Sequence, residues 1–378
     1  MAIYLDYNAT TPLDPAVREA MRPFLEENWG NPSSVHSIGR AARAALDDAR
    51  YRMAGLWRCR PSEVVFTGGG TEANNLAVLG TARRLRDRGR HLVTSPIEHP
   101  AVRLAFHLLR DREGFELTEV LVDATGQVDP QSVANAVRPD TVLVSIMAAN
   151  NEVGTLEPVA AIGAICRERG VVFHTDAVQS LGKCPFRDIH QFEADLVSVC
   201  AHKFHGPKGA GALFIRSPLL PEPTQVGGGH ENERRAGTEN LAGIVGLVEA
   251  FERFVPAPVF DPQEIAPRTA RLAAAAAALP GVTLRGHATA RLANTLAFTV
   301  AGTDSIALMA ALDLAGICAS GGSACAAGSL EPSHVLRAMG VPAAECNALV
   351  RFSLGRGTTD AEVERTIALL PDVIRQVR

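Results

Sequence analysis

Ser198-Val199-Cys200-Ala201-His202-Lys203-Phe204-His205-Gly206-Pro207-Lys208-Gly209 follows an apolar run, Ala194 to Val197. That run reads as a buried strand, so the stretch leaves the end of a sheet and carries its polar groups into a cleft. Lys203 stands between the strand end and a Gly/Pro turn, with little apolar surface to lie along. An amine there with a depressed pKa can condense with a carbonyl. Taken alone, the stretch is equally compatible with a solvated loop lysine, because a His-Lys pair carries no fixed geometry.

Working outward, further apolar runs alternate with helical patterns. His91 to Thr94, Val142 to Met147, Val171 to Thr175, Leu196 to Val199 and Ala212 to Ile215 read as strands. Asp14 to Leu25 (opened by Pro15), Gly39 to Ala54, Pro100 to Arg112 and Pro158 to Arg169 read as helices. Continuous apolar strands separated by helices predict an α/β fold with a mostly parallel sheet covered on both faces. Ligands in such sheets sit at the carboxyl ends of the strands. The polar clusters fall there: Glu98-His99, Asn150-Asn151-Glu152, Asp176-Ala177-Val178-Gln179 and His202-Lys203. Each has an ordinary alternative as a helix cap, a satisfied core histidine or a turn. Their convergence on one edge favours a single site for an anionic, carbonyl-bearing cofactor.

Val64-Val65-Phe66-Thr67-Gly68-Gly69-Gly70-Thr71-Glu72 adds a short strand, then a glycine turn opening a helix through Arg86. Glycines let the backbone approach an anion, and the N–H groups at the helix start face it. No Gly-Lys-Ser/Thr follows, so this is not a Walker loop. A plain strand-to-helix turn remains the alternative.

The whole chain, 378 residues with a net charge of -4, is long enough for two domains and lacks the basic runs of a nucleic-acid footprint. The N-terminus lacks the pattern of a signal peptide, and no apolar stretch approaches a membrane span. The cytoplasm is the expected compartment. The seven cysteines, at 59, 166, 184, 200, 318, 325 and 346, form no C-x-x-C pair. That disfavours a zinc site and a disulfide framework.

After Phe254 the character changes. Pro256, Pro258, Pro262 and Pro267 read as a linker, followed by an alanine-rich helix to Leu279. Strand-like Leu296 to Val300, with helices near Ser305 to Leu314, Ser333 to Met339 and Ala361 to Gln376, predicts a small α+β C-terminal domain. The expected division is 15–256 for a large domain, with 1–14 and 257–378 together forming the small one. Within the latter, Ala319 to Ser329 consists of small residues, which predicts a mobile loop with Cys325 near its middle. A structural cysteine would instead sit among large apolar neighbours.

Six segments carry a family resemblance: Tyr4-Leu5-Asp6-Tyr7-Asn8-Ala9-Thr10-Thr11, Gly70-Thr71-Glu72-Ala73-Asn74-Asn75, Asn150-Asn151-Glu152-Val153-Gly154, Asp176 to Gln179, Ala201-His202-Lys203 and Ser323-Ala324-Cys325. In this order and spacing they resemble the pyridoxal-phosphate cysteine desulfurases, in the branch serving iron–sulfur cluster assembly. The likeness runs over essentially the whole chain. It implies the pyridoxal-phosphate-dependent transferase fold of type I, with L-cysteine as substrate and L-alanine and an enzyme persulfide as products.

The resemblance also implies roles. Lys203 corresponds to the lysine that holds pyridoxal 5'-phosphate and moves the substrate Cα proton. Asp176 corresponds to the partner of the pyridinium nitrogen. At about 4 Å and an effective dielectric near 20, such a pair is worth about 4 kcal/mol, enough to hold the ring nitrogen protonated at neutral pH. Gln179 and Asn151 resemble the partners of the cofactor phenolate, with Asn151 also near the substrate carboxylate. His99 resembles the imidazole stacked on the ring. Gly70, Thr71 and His202 resemble the phosphate holders, and Thr238 a phosphate ligand donated across a homodimer interface. Arg351 resembles the guanidinium that clamps the substrate carboxylate. Cys325 resembles the nucleophile that takes the sulfur and delivers it to an acceptor or scaffold protein.

One position departs from the family pattern. Cys200 stands where a serine is usual, and a thiol is a weaker donor to phosphate than a hydroxyl. Selenocysteine lyase and class V aminotransferase activity are the alternatives on the same cofactor site, and a carrier subunit on a retired scaffold is the alternative outside catalysis. Lys203, Asp176, His99 and Cys325 together argue against retirement. No resident metal is expected, and whether Cys325 also serves as a transient iron–sulfur ligand is left open by the sequence.

Overall fold

The structure is a computed structural model that describes residues 2–322 and 332–378. Its strands are β1 Ile3–Tyr4, β2 Val64–Thr67, β3 His91–Thr94, β4 Glu116–Glu119, β5 Thr141–Ser145, β6 Val172–Asp176, β7 Leu196–Cys200, β8 Gly211–Ile215, β9 Val282–Arg285, β10 Thr295–Val300, β11 Ile317–Cys318 and β12 Leu349–Ser353. Seven of them form the main sheet in the order β2-β8-β7-β6-β5-β3-β4. All neighbours pair in parallel except at β8, which runs antiparallel to both β2 and β7.

The expectation of a sheet covered on both faces is met residue by residue. Val64, Phe66, Val93, Val144, Val197 and Phe214 join one buried cluster, which includes Leu46, Met53 and Trp57 of the helix Ser37–Trp57 and Leu247 and Phe251 of the helix Leu241–Phe254. Their strand neighbours Val65, Leu92, Leu143, Leu196 and Leu213 join another, with Ala73 and Ala77 from the helical run that begins at Gly70 and Phe106 from the helix Pro100–Glu113. Alternation along each strand therefore sends apolar side chains to opposite faces, and both are covered.

Several elements differ from the sequence expectation. The helix that begins at Gly70 is not uniform: a π segment, Leu76–Gly80, interrupts it between Gly70–Asn75 and Thr81–Leu85. Pro262 and Pro267 belong to the helix Pro262–Ala277 rather than to a linker. Pro262 takes the first helical position, where a missing N–H costs nothing, and Asp261 caps that end through Gln263 N. The edge strands β4 and β9 have no apolar run, and unlike the buried edge strands β2 and β12 they stay partly exposed.

In the C-terminal part, β12-β10-β9 form an antiparallel sheet. The N-terminal arm joins this part: β1 pairs in parallel with β11, and Asp6 bridges to Ser353. A third buried cluster packs Ile97, Met147 and Val153, which follow β3 and β5, against Ala297, Val335, Leu336 and Leu349. The segments that leave the main sheet are thus wedged against the C-terminal part.

Candidate active site

Parallel strands bring their carboxyl ends to one edge, and the segments beyond β2, β3, β5, β6 and β7 line a cavity of about 180 Å³ there. Its walls include Gly70, Thr71, His99, Asn151, Asp176, Gln179, Cys200, His202, Lys203 and Arg351. Ten of the twelve residues singled out from the sequence therefore meet in one place. Thr238 does not: it is exposed, in a separate recess with Thr67, Gly68 and Arg235. Cys325 lies outside the described residues.

The polar clusters divide between lining and support. Asn151 faces the cavity, whereas Asn150 is fully buried and turns the chain: its Oδ1 accepts from the N–H of Glu152 and Val153 at 2.9 and 3.0 Å, and its Nδ2 donates to Ile97 O. Glu152 is buried too, accepting from Ser333 Oγ at 2.6 Å. His99 lines the cavity and caps the helix that follows it, its Nδ1 accepting from Ala101 N at 3.1 Å. A neutral His99 in that arrangement carries its proton on Nε2. Glu98 is buried behind it, with Oε1 accepting from Ser95 Oγ and Met147 N; burial pushes its carboxyl up to about 8.

Asp176 ends β6, with Oδ2 accepting from Asn74 Nδ2 at 2.7 Å and Oδ1 from Val178 N at 3.0 Å. Donors on both oxygens fix the plane of the carboxylate. Burial and the nearby Lys203 cation bring His202 down to about 4, so it is neutral at physiological pH. Lys203 Nζ donates to the carbonyls of Asn8 and Ala9 at 2.7 and 2.8 Å. Arg351 is 1% exposed in the middle of β12, with Nη2 on Asp6 Oδ1 and Nη1 on Asn151 O, both at 2.7 Å.

Gly70 stands where backbone must come close. A Cβ built there would lie 3.1 Å from Val178 Cγ2 and 3.4 Å from Cys200 Cβ. The preceding Gly69 has φ of 148°, which L side chains rarely adopt. Burial raises the pKa of the Cys200 thiol, against the lowering effect of the N–H of Gly70 and of His202. The cavity thus combines an amine, a carboxylate, a guanidinium, two imidazoles and four amides with a close-approach backbone turn. This set suits a small anionic ring that carries a carbonyl.

Three contributors were not singled out from the sequence. Asn74 sits one helical turn after Gly70 and Thr71, a spacing that could have placed it on their face. Asn8 lines the cavity, and Lys183 is buried one turn after Gln179. Asn8 stands in the segment 4–11 but its side chain carried no role there, and the four-residue spacing from Gln179 was the one signal for Lys183.

A family model for class-V aminotransferases matches residues 3–366. The chain is 43% identical over 377 residues to the cysteine desulfurase IscS of Dictyoglomus turgidum, covering 100% of this chain and 95% of that one. It is likewise 43% identical over 377 residues to the cysteine desulfurase IscS of Methanosarcina thermophila, at 100% and 93% coverage. Among solved structures, a NifS-like protein superposes with a TM-score of 0.92 at 35% identity over 100% of both chains. SspA in complex with cysteine superposes with a TM-score of 0.82 at 34% identity, covering 94% of this chain and 100% of that one.

Proposed function

The chain belongs to the class-V aminotransferase family, and from that premise we propose that it is a cysteine desulfurase dependent on pyridoxal 5'-phosphate. The observation that carries this reading is the meeting of Lys203, Asp176, His99, Gln179 and Arg351 around one cavity at the strand ends. The residues fit the cofactor: Gly70 brings bare backbone to the cavity wall where a Cβ would crowd Val178, and the Asp176 carboxylate faces the cavity with its plane fixed.

Gly70, Thr71, His202 and Cys200 would hold the phosphate, Asp176 the ring nitrogen, Gln179 and Asn151 the phenolate, and Lys203 the aldehyde carbon. When bound, the cofactor supplies an electron-withdrawing ring that makes the substrate Cα hydrogen acidic. Lys203 Nζ, at the cavity wall, would be the base that receives that proton. Arg351 and Asn151 hold the substrate carboxylate, and His99 presents its ring at the cavity wall.

The thiol of Cys325 takes the sulfur. The substrate C–S bond breaks, an S–S bond forms on Cys325, and the substrate carbon gains a hydrogen. L-cysteine and a thiol thereby become L-alanine and a persulfide, with atoms balanced and no external oxidant. An acceptor or scaffold protein then receives the sulfur. The exposed Thr238, together with the exposed apolar Trp29, Val35 and Val226, supports a homodimer in which Thr238 serves the site of a second copy. We place residues 15–256 in a large cofactor domain, with 1–14 and 257–378 in a small one. No helix among the described residues is long and apolar enough to cross a membrane, and six free cysteines suit the reducing cytoplasm.

The test is turnover of L-cysteine by the protein loaded with pyridoxal 5'-phosphate in the presence of a reducing thiol. Alanine and sulfide released in equal amounts support the proposal. Conversion of the cofactor to its amine form without alanine would replace it with transamination.

A further inference from the structure

Lys183 is 3% exposed, and among the described residues no carboxylate lies within ion-pair distance of it. Burying an ammonium without an anion is costly, so the position calls for a reason. Its Nζ donates to Asn8 Oδ1 at 2.8 Å and to Gln179 Oε1. Burial first, then the neighbouring Lys203 and Arg351 cations, bring its pKa well below the ordinary range of a lysine. Charged or neutral, the amine has N–H groups enough for both oxygens.

The two ends of a glutamine amide are nearly the same size, so its neighbours decide which end points where. At Gln179 both neighbours agree. Lys183 donates to Oε1, and on the other side Nε2 donates to Asn8 O at 2.9 Å. Nε2 has a second hydrogen, and Gln179 lines the cavity beside Asp176, His202 and Lys203. Asn8 is itself fixed: its N–H donates to Ser353 Oγ, its Nδ2 to Thr295 Oγ1, and its Oδ1 also accepts from Asn294 Nδ2. The orientation of one amide is therefore set jointly by the main sheet and the C-terminal part.

We propose that Lys183 is a positioning residue that holds Gln179 with an N–H, not the carbonyl oxygen, toward the ring oxygen of the cofactor. This rests on the reading of Gln179 as a phenolate partner. Without the lock the amide can turn, and an oxygen then faces an oxygen.

The experiment titrates apoprotein with pyridoxal 5'-phosphate and reads the dissociation constant and the absorption band of the bound form. Parent and Lys183→Met are compared in two backgrounds, wild type and Gln179→Ala. The expected loss of affinity for Lys183→Met is roughly tenfold, with a shifted band, the scale of one hydrogen bond to a charged group. In the Gln179→Ala background the same substitution should change affinity less than about twofold, because the two effects share one path. Equal losses in both backgrounds, or an unchanged band in wild type, would overturn the proposal. Thermal melting of the apoprotein shows whether Lys183→Met folds. If it does not, Lys183→Gln replaces it in the same cycle, since its amide can present either end and should give an intermediate, Gln179-dependent loss. A parent protein that forms no band would instead overturn the cofactor reading itself.

Discussion

Arg351 and Asp6, 345 positions apart, form an ion pair with Nη2 at 2.7 Å from Oδ1 inside the wall of the cavity. The guanidinium is also tied to Asn151 O, so its plane is fixed before any carboxylate arrives. A fork held this way recognises a carboxylate by geometry as well as charge.

Arg351→Lys should therefore raise KM for L-cysteine about tenfold to a hundredfold while cofactor binding changes little, since an ammonium offers charge without the fork. Steady-state kinetics beside a cofactor titration separate the two. Asp6→Asn should lower stability by about 1–3 kcal/mol, less than a fully buried pair because the Asp6 side chain is 19% exposed. An unchanged KM in Arg351→Lys would remove Arg351 from the substrate site.

Lys203→Ala should abolish borohydride-trapped attachment of pyridoxal 5'-phosphate. Peptide mapping is the measurement. Label on Lys208 or on the buried Lys183 would move the attachment point and sink the assignment.

Cys200→Ser should bind the cofactor at least as tightly as the parent, because a hydroxyl donates to phosphate better than a buried thiol of raised pKa. A titration of apoprotein reads this directly. Binding weaker by about tenfold or more would give Cys200 another role.

Cys325→Ser should still bind cofactor and respond spectrally to L-cysteine, yet lose roughly a thousandfold or more in alanine and sulfide release, as for loss of a covalent nucleophile. In the parent, mass spectrometry should find one added sulfur on the peptide containing Cys325, removed by a reducing thiol. A persulfide on any other cysteine would require a different nucleophile.

Glu98, raised to about 8 by burial from an ordinary 4.5, gives a stability prediction. Between those values the folded state holds a proton that the unfolded state has lost. Its contribution is therefore complete below about 4.5 and falls as pH rises toward 8. Glu98→Gln should flatten that decline, the gap to the parent widening with pH by at most about 1.4 kcal/mol per pH unit. Denaturant melts at pH 5 and pH 8 compare the two, and parallel curves would mean that Glu98 is ionised in the fold.

Local pattern carried much of this protein. The strand limits His91 to Thr94 and the helix limits Ser305 to Leu314 follow from apolar periodicity and coincide with the structure, because burial on a sheet or helix face repeats along the chain. The parallel strands put their carboxyl ends on one edge, which is why Asp176, His99 and Lys203 could be expected around one cavity before any coordinates. The edge strands β4 and β9 were not legible, since a partly exposed strand needs no apolar run.

Only the tertiary structure decided the rest. Arg351 lies in the middle of a strand whose five residues are all buried, a placement its charge argues against until Asp6 is brought to it from the other end of the chain. The links from Asn8 to Gln179 and to Lys183 likewise exist only once the N-terminal arm packs against both parts of the molecule. Periodicity records which face of its own element a residue turns inward. It holds no record of which distant donor or acceptor will be there to meet it, because that depends on how the elements pack together.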